Sequence, residues 1–220
     1  MQVEYAQDWL AEPLEKTGQK QAAWRTDPAR SGAGGATGDI GTHAYNLAGF
    51  VSGLELEALA ADVHAFVPGR KLDDNAHVLL RYRGGAKGLL WCSQVAVGQE
   101  NALKLRVYGT KGGLEWAQED PNYLEWSKLG EPRRRITRSG AGAGPEAARV
   151  TRIPSGHPEG YLEAFANVYS EAAAAINAKK AGAPVDSQVL YPTVQDGVEG
   201  LAFVEACVAS SRRNGAWVSL

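Results

Sequence analysis

The sequence predicts an α+β domain: one large, mainly antiparallel, open β-sheet with helices on one face. Three observations carry this. From about residue 55 to 138, apolar residues recur with a period of two through successive short segments. The breaks between them include the glycine turns Gly84-Gly85 and Gly109–Gly113, and mostly short connections suit antiparallel neighbours. Residues 39–53, 159–182 and 193–213 repeat apolar residues at helical spacing instead.

In chain order, QVEYAQDW (2–9) alternates as a strand. A domain that opens on a strand with no lead-in suggests the remainder of a longer protein. The polar stretch 12–38 holds Lys16, Lys20, Trp24, Arg25 and the run SGAGGATG, and is expected to be a long loop without secondary structure. Such loops are usually functional or disordered, and the isolated Trp24 argues against disorder. DIGTHAYNLAGFVSG reads as a helix on Ile40, Ala44, Leu47, Ala48 and Val51, with Asp39 as N-cap and Gly53 as the stop.

The strands follow as EALAADVHAFV, NAHVLLRYR, AKGLLWCSQVAV, ALKLRVYG, GGLEWAQ, NYLEWSKL and RRRITRS, and 139–148 is a flexible or tip loop. Leu162, Phe165, Ala166, Tyr169, Ala172, Ala173 and Ile176 form the stripe of a helix ended by Gly182 and Pro184. A last helix, Thr193 to Arg213, is expected to turn Val198, Leu201, Val204 and Val208 inward, and AWVSL closes as an edge strand. In the strands HVLLRYR and GLLWCSQVAV both alternating sets are apolar: Val78, Leu80 and Tyr82 against Leu79, and Leu90 and Cys92 against Leu89 and Trp91. A half-solvated sheet shows one polar side. Helices cover one side only, so the other is expected to meet another subunit or domain.

The 220 residues are read as a single domain, 1–220. Lys and Arg number 23 against 25 Asp and Glu, a net charge of −2, so no basic field recruits nucleic acid or anionic lipid. Arg133-Arg134-Arg135 reads as a solvated strand face. Cys92 and Cys207 lie in apolar patterns with no metal spacing, which suits buried thiols in a reducing compartment. MQVEYAQDWL lacks the plan of a signal peptide, and no apolar run nears the ~20 residues of a membrane span. The cytoplasm is the default expectation.

Two groups could carry chemistry. Asp39 and His43 lie four apart, so on a helix they share a face with β-carbons about 5–6 Å apart. An imidazole titrates near neutrality, and a carboxylate beside it would orient it as a general base. The alternative is a helix cap beside a packed histidine. Trp24-Arg25 offers a flat plate for a sugar ring beside a forked donor, or else anchors its loop. His157, directly before Pro158, is placed at or near a helix N-cap. His64 and His77 read as ordinary sheet residues. The glycine run fits neither G-x-G-x-x-G nor a Walker loop, and its small residues suggest close backbone approach. No metal motif and no nucleophile elbow occurs.

The order VEYAQDWL, KQAAWRTDP, GAGGATGDIGTHAYNLAGFVSG, a multistranded sheet with VYGTKGGLEW, then SGHPEGYLEAFANVY resembles the C-terminal domain of the Gfo/Idh/MocA oxidoreductases, the family of glucose–fructose oxidoreductase and inositol dehydrogenase. The resemblance implies a dihydrodipicolinate reductase-like C-terminal fold whose open sheet builds a dimer or tetramer. It implies NAD or NADP bound by a separate N-terminal Rossmann domain, and a sugar or polyol substrate. It assigns the hydroxyl proton to His43 and an acid of the same site to Asp39, with Trp24, Arg25 and His157 near substrate. Many members place an aspartate where Asn46 stands, so Asn46 bears on hydroxyl preference. No strand–GxGxxG–helix unit and no Glu-Lys-Pro segment is present, so this chain by itself is expected to be inactive. The alternative is a stand-alone carbohydrate-binding or scaffolding module.

Overall fold

The computed structural model describes residues 1–220. Its strands are β1 (Gln2–Ala6), β2 (Leu56–His64), β3 (Asn75–Tyr82), β4 (Lys87–Ser93), β5 (Ala102–Tyr108), β6 (Gly112–Ala117), β7 (Tyr123–Lys128), β8 (Arg134–Thr137) and β9 (Val218–Ser219). The helices are α1 (Lys20–Arg25), α2 (Pro28–Ser31), α3 (Thr42–Ser52), α4 (Pro145–Arg149), α5 (Tyr161–Lys180) and α6 (Val194–Arg212). The strands make one nine-stranded sheet in the order β8-β7-β6-β5-β1-β4-β3-β2-β9. Only β1 and β4 run parallel; every other pair is antiparallel. The fold is thus the expected open, mainly antiparallel α+β sheet.

The alternation read from the strands decides which face is covered. Val3, Leu59, Val78, Leu80, Leu90, Cys92, Leu103 and Leu105 point to one side and are buried against Ala44 and Ala48 of α3 and Phe203, Val204 and Cys207 of α6. Gly41 makes the close approach of α3 possible, since a Cβ there would stand 3.2 Å from Cys92 Sγ. Leu79 and Leu89, opposite one another in the register, point to the other side and are exposed. The arginine run is neutralised: Arg133 and Arg135 pair with Glu115 and Glu125 on that outer face, while Arg134, on the opposite side of its strand, pairs with Glu131. No helix is long and apolar enough to cross a membrane.

Several expectations need correction. The stretch 12–38 has structure of its own. Gln19 caps α1 by accepting from Ala22 N–H at 2.6 Å, and Asp27 caps α2 with Pro28 at its first position. Arg70 fastens the stretch to the body through Leu10 O (2.9 Å), Glu12 O (3.2 Å), Glu15 and the buried Asp74. Asp39 is not the N-cap, because a π-type turn (Thr37–Gly41) runs ahead of α3. The entrance donors go to Asp73 instead: Gly35 N–H at 2.6 Å, and Thr37 N–H and hydroxyl both at 2.7 Å. Burial pushes the Asp73 carboxyl upward, against the pull of those donors. The tip loop ends in the short α4. Finally, no residue of α5 is buried, and Val198 and Leu201 of α6 face outward while Val204 and Cys207 face in. Nothing in this chain covers those two stripes.

Candidate active site

Asp39 occupies the π-type turn where it lies over the carboxyl ends of β1 and β4. Its Oδ2 accepts from Arg25 Nε at 2.8 Å and from Gln94 Nε2 at 2.7 Å. Gln94 continues the inward-facing set of β4 and is 1% exposed. Its backbone is held at both ends, donating to Asp74 O (2.8 Å) and accepting from Leu10 N–H (3.0 Å). Arg25 lies between two indoles, 5.7 Å from Trp9 and 5.3 Å from Trp24, and also donates to Gln21. Two charge-assisted donors on one oxygen fix the carboxylate and hold it as an acceptor. Its side chain keeps 24% exposure.

His43 stands on the exposed side of the first turn of α3, with the Tyr5 ring edge-on at 6.1 Å between centroids. The expected bond from Asp39 to His43 is not made, since Arg25 and Gln94 take the Asp39 oxygen. The imidazole nitrogens make no hydrogen bond within the chain. His43 and Asn46 share the wall of a cleft of about 460 Å³, with Gly38 and Thr42 beside them and Asp196, Gly197 and Leu201 of α6 opposite. That is within the usual size of a small-molecule site. Clefts of about 670 and 500 Å³ lie elsewhere, beside Phe66 and Val97 and on the outer sheet face. They are larger, but neither contains His43, and Asp39 lines none of the three.

The structure therefore brings the predicted residues together in two groups: Trp24, Arg25 and Asp39 in direct contact, and His43 with Asn46 on one cleft. Tyr5 links the groups. Burial raises its phenol, Gln118 and Asn101 pull it down, and the charge of Asp39 raises it further. His157 joins neither group. It lies in the segment before α5, whose N-cap is Gly160 and not His157. Arg138 fastens that segment by donating to Ile153 O (2.8 Å), Pro154 O (3.1 Å) and His157 O, and by pairing with Glu159 at 3.1 Å. The His157 side chain is exposed.

Gln94, Tyr5 and Trp9 escaped the sequence reading because each sits in a strand pattern or just past one. The only local signal was a polar glutamine closing an apolar strand. The glycine run is no phosphate cradle. A Cβ at Gly35 would fall 2.0 Å from Asp73 O, so the protein itself fills that space. No three His, Cys, Asp or Glu side chains group as metal ligands.

The profile described as the GFO/IDH/MocA C-terminal domain matches residues 1–115. The chain is 34% identical to the uncharacterized oxidoreductase YfiI of Bacillus subtilis (strain 168), over 89% of this chain and 50% of that protein. An oxidoreductase from Sinorhizobium meliloti of known structure is 62% identical, with a TM-score of 0.86, over 99% of this chain and 55% of its own. An inositol dehydrogenase homolog from Azotobacter vinelandii, solved with NADH and myo-inositol, is 35% identical, with a TM-score of 0.89, over 100% of this chain and 56% of its own. The chain thus spans about half the length of these relatives.

Proposed function

The chain belongs to the GFO/IDH/MocA family, and from that premise we propose that it is the substrate-holding domain of an NAD(P)-dependent oxidoreductase acting on a CH–OH carbon of a sugar or polyol, cyclitols included. The Azotobacter relative, with its NADH and myo-inositol, supports both the cofactor and the substrate class. Bound to a separate nucleotide-binding domain, the cofactor would supply the hydride acceptor or donor for that carbon. Residues 1–220 form the substrate half, and without the nucleotide half it is inactive.

His43 is the catalytic residue that takes the hydroxyl proton on oxidation and returns it on reduction. An exposed imidazole with neither nitrogen hydrogen-bonded within the chain, facing a cleft of about 460 Å³, suits a general base. Asp39 does not orient His43. Fixed by Arg25 and Gln94, it keeps its Oδ1 for a substrate hydroxyl. Asn46, on the His43 cleft, offers a donor and an acceptor to another hydroxyl. Trp24 presents an indole face to the ring. His157, exposed in the segment before α5, is the remaining candidate for a substrate contact.

The outer sheet face seats further copies of the chain, as a dimer or tetramer, on Leu79 and Leu89. Two buried free thiols, Cys92 and Cys207, suit work in the cytoplasm. The observation that carries the reading is the unpaired, exposed imidazole on a cleft one helical step from a fixed carboxylate. Its test is His43→Ala with the chain joined to a nucleotide-binding domain. General-base catalysis contributes about 10²–10⁴-fold, so kcat should fall at least about a hundredfold. Turnover near that of the parent would end the assignment.

A further inference from the structure

We propose that the buried pair Asp73-Asp74, at the entrance of β3, is the positioning device of the site: it sets where Asp39 and Gln94 meet. This deepens the oxidoreductase reading above and rests on it. Both residues are buried, but their carboxylates are bonded differently. Asp74 takes Phe66 N–H at 2.8 Å, Val67 N–H at 3.0 Å and the Arg70 guanidinium at 3.0 Å. Asp73 meets no cation. Its carboxylate takes Gly35 N–H and the N–H and hydroxyl of Thr37, and its carbonyl takes Ala36 N–H at 2.9 Å. Three consecutive residues at the start of the π-type turn are thus tied to one aspartate. Asp39 N–H donates to Gly35 O at 2.9 Å, so the Asp39 backbone stands one bond from a residue that Asp73 holds.

The second aspartate holds the other partner. Gln94 N–H donates to Asp74 O at 2.8 Å, and Gln94 O accepts from Leu10 N–H at 3.0 Å. Leu10 O in turn accepts at 2.9 Å from Arg70, the guanidinium that Asp74 pairs with. One dipeptide therefore locates both ends of the 2.7 Å bond from Gln94 Nε2 to Asp39 Oδ2, with no hydrogen bond to either side chain. A helix that needed only a start would use a local cap, as Gln19 and Asp27 provide for α1 and α2. A carboxylate buried among neutral donors carries a desolvation cost instead, and burial pushes Asp73 upward. What the distant acceptor adds is register: it fixes an irregular turn against the sheet that carries Gln94, not against the turn's own helix. π-type turns of this kind are frequent at functional sites.

The test uses the 220-residue chain and a chimera in which it replaces the matching part of the Sinorhizobium oxidoreductase. Asp73→Asn keeps the shape but turns one acceptor oxygen into a donor, so either Gly35 or Thr37 loses its partner. Thr37→Val removes only the hydroxyl from Asp73, and Thr37→Ser keeps it. In the 220-residue chain the NMR signals of the Gln94 side-chain amide report its bond to Asp39. They should move in Asp73→Asn and Thr37→Val and hold the parent position in Thr37→Ser, all measured well below each Tm. In the chimera, kcat/KM for myo-inositol should fall about 10²-fold in Asp73→Asn, the cost of misplacing a group by about 1 Å, and Thr37→Ser should match the parent. An aspartate that served folding alone would lower Tm and move neither readout in the folded protein. Either readout unmoved in folded Asp73→Asn therefore overturns the proposal. Should Asp73→Asn fail to fold, Thr37→Val decides by the same two readouts. If the parent chimera turns over no sugar or polyol, the oxidoreductase reading falls, and the Gln94 signals by themselves decide the positioning.

Discussion

At the scale of residues, the deciding contact is the amide of Gln94 on Asp39. The notable pairing in the sequence is Asp39 with His43, and the helical spacing is real. The bond is absent because two better donors reach the carboxylate from elsewhere in the chain: Arg25 at 2.8 Å and Gln94 at 2.7 Å. Replacing Gln94 by Leu keeps the volume and deletes a donor to a partly buried charge. Hydrogen bonds to charged groups contribute about 1.5–3 kcal/mol, so urea unfolding should show a loss of that order. Polyol affinity should fall with it, because Asp39 is then held from one side only. Unchanged polyol affinity in a folded Gln94→Leu chain would remove Asp39 from substrate recognition. Asp39 and His43 stood out by their four-residue spacing at a helix start, and Trp24-Arg25 as an isolated indole beside a guanidinium in a polar stretch. Gln94, Tyr5 and Trp9 did not, because their roles arise from pairing β1 beside β4, which no local pattern records.

At the scale of elements, the sheet was legible almost strand by strand. Period-two alternation marks each strand locally, and glycine turns mark the breaks. The short helices of 12–38 show in the sequence only at their caps, where Asp27-Pro28 is a helix-start signal by itself. The entrance of α3 leaves no such local mark: its acceptor, Asp73, lies 36 residues from Thr37 and is joined only by tertiary structure. The glycine run allows a sharp contrast. At Gly35 a Cβ would meet Asp73 O at 2.0 Å, whereas at Gly38 nothing lies within 4 Å. Gly35→Ala should therefore cost about 1–3 kcal/mol or more as overpacking. Gly38→Ala, within the helical turn, should be neutral or stabilise by about 0.5–1 kcal/mol. Thermal unfolding of the two variants side by side is the measurement. Equal Tm values would mean that the run is not pressed against Asp73.

At the scale of the molecule, the chain exposes two apolar surfaces on opposite sides of its sheet. The outer surface was legible in the sequence, because both alternating sets of β3 and β4 are apolar. The α5 surface was not, because an apolar helical stripe reads the same whether its own chain or another covers it. The outer surface carries the assembly prediction. Leu79 and Leu89 are direct cross-strand neighbours, so they present one continuous patch, and Leu89 is 47% exposed in the single chain. An aspartate at Leu89 would cost that chain little, since exposed positions shift stability by about 0.5 kcal/mol. Buried against a second copy, the same carboxylate would be charged and unpaired, and two-fold symmetry would bring it in from both sides. Sedimentation should therefore find the parent chain as a dimer or tetramer and Leu89→Asp as single copies of 23.4 kDa with nearly the parent Tm. If Leu89→Asp keeps the mass of the parent assembly, the copies meet somewhere other than the open sheet. A parent chain that sediments as a single copy leaves the outer face with no self-partner at all.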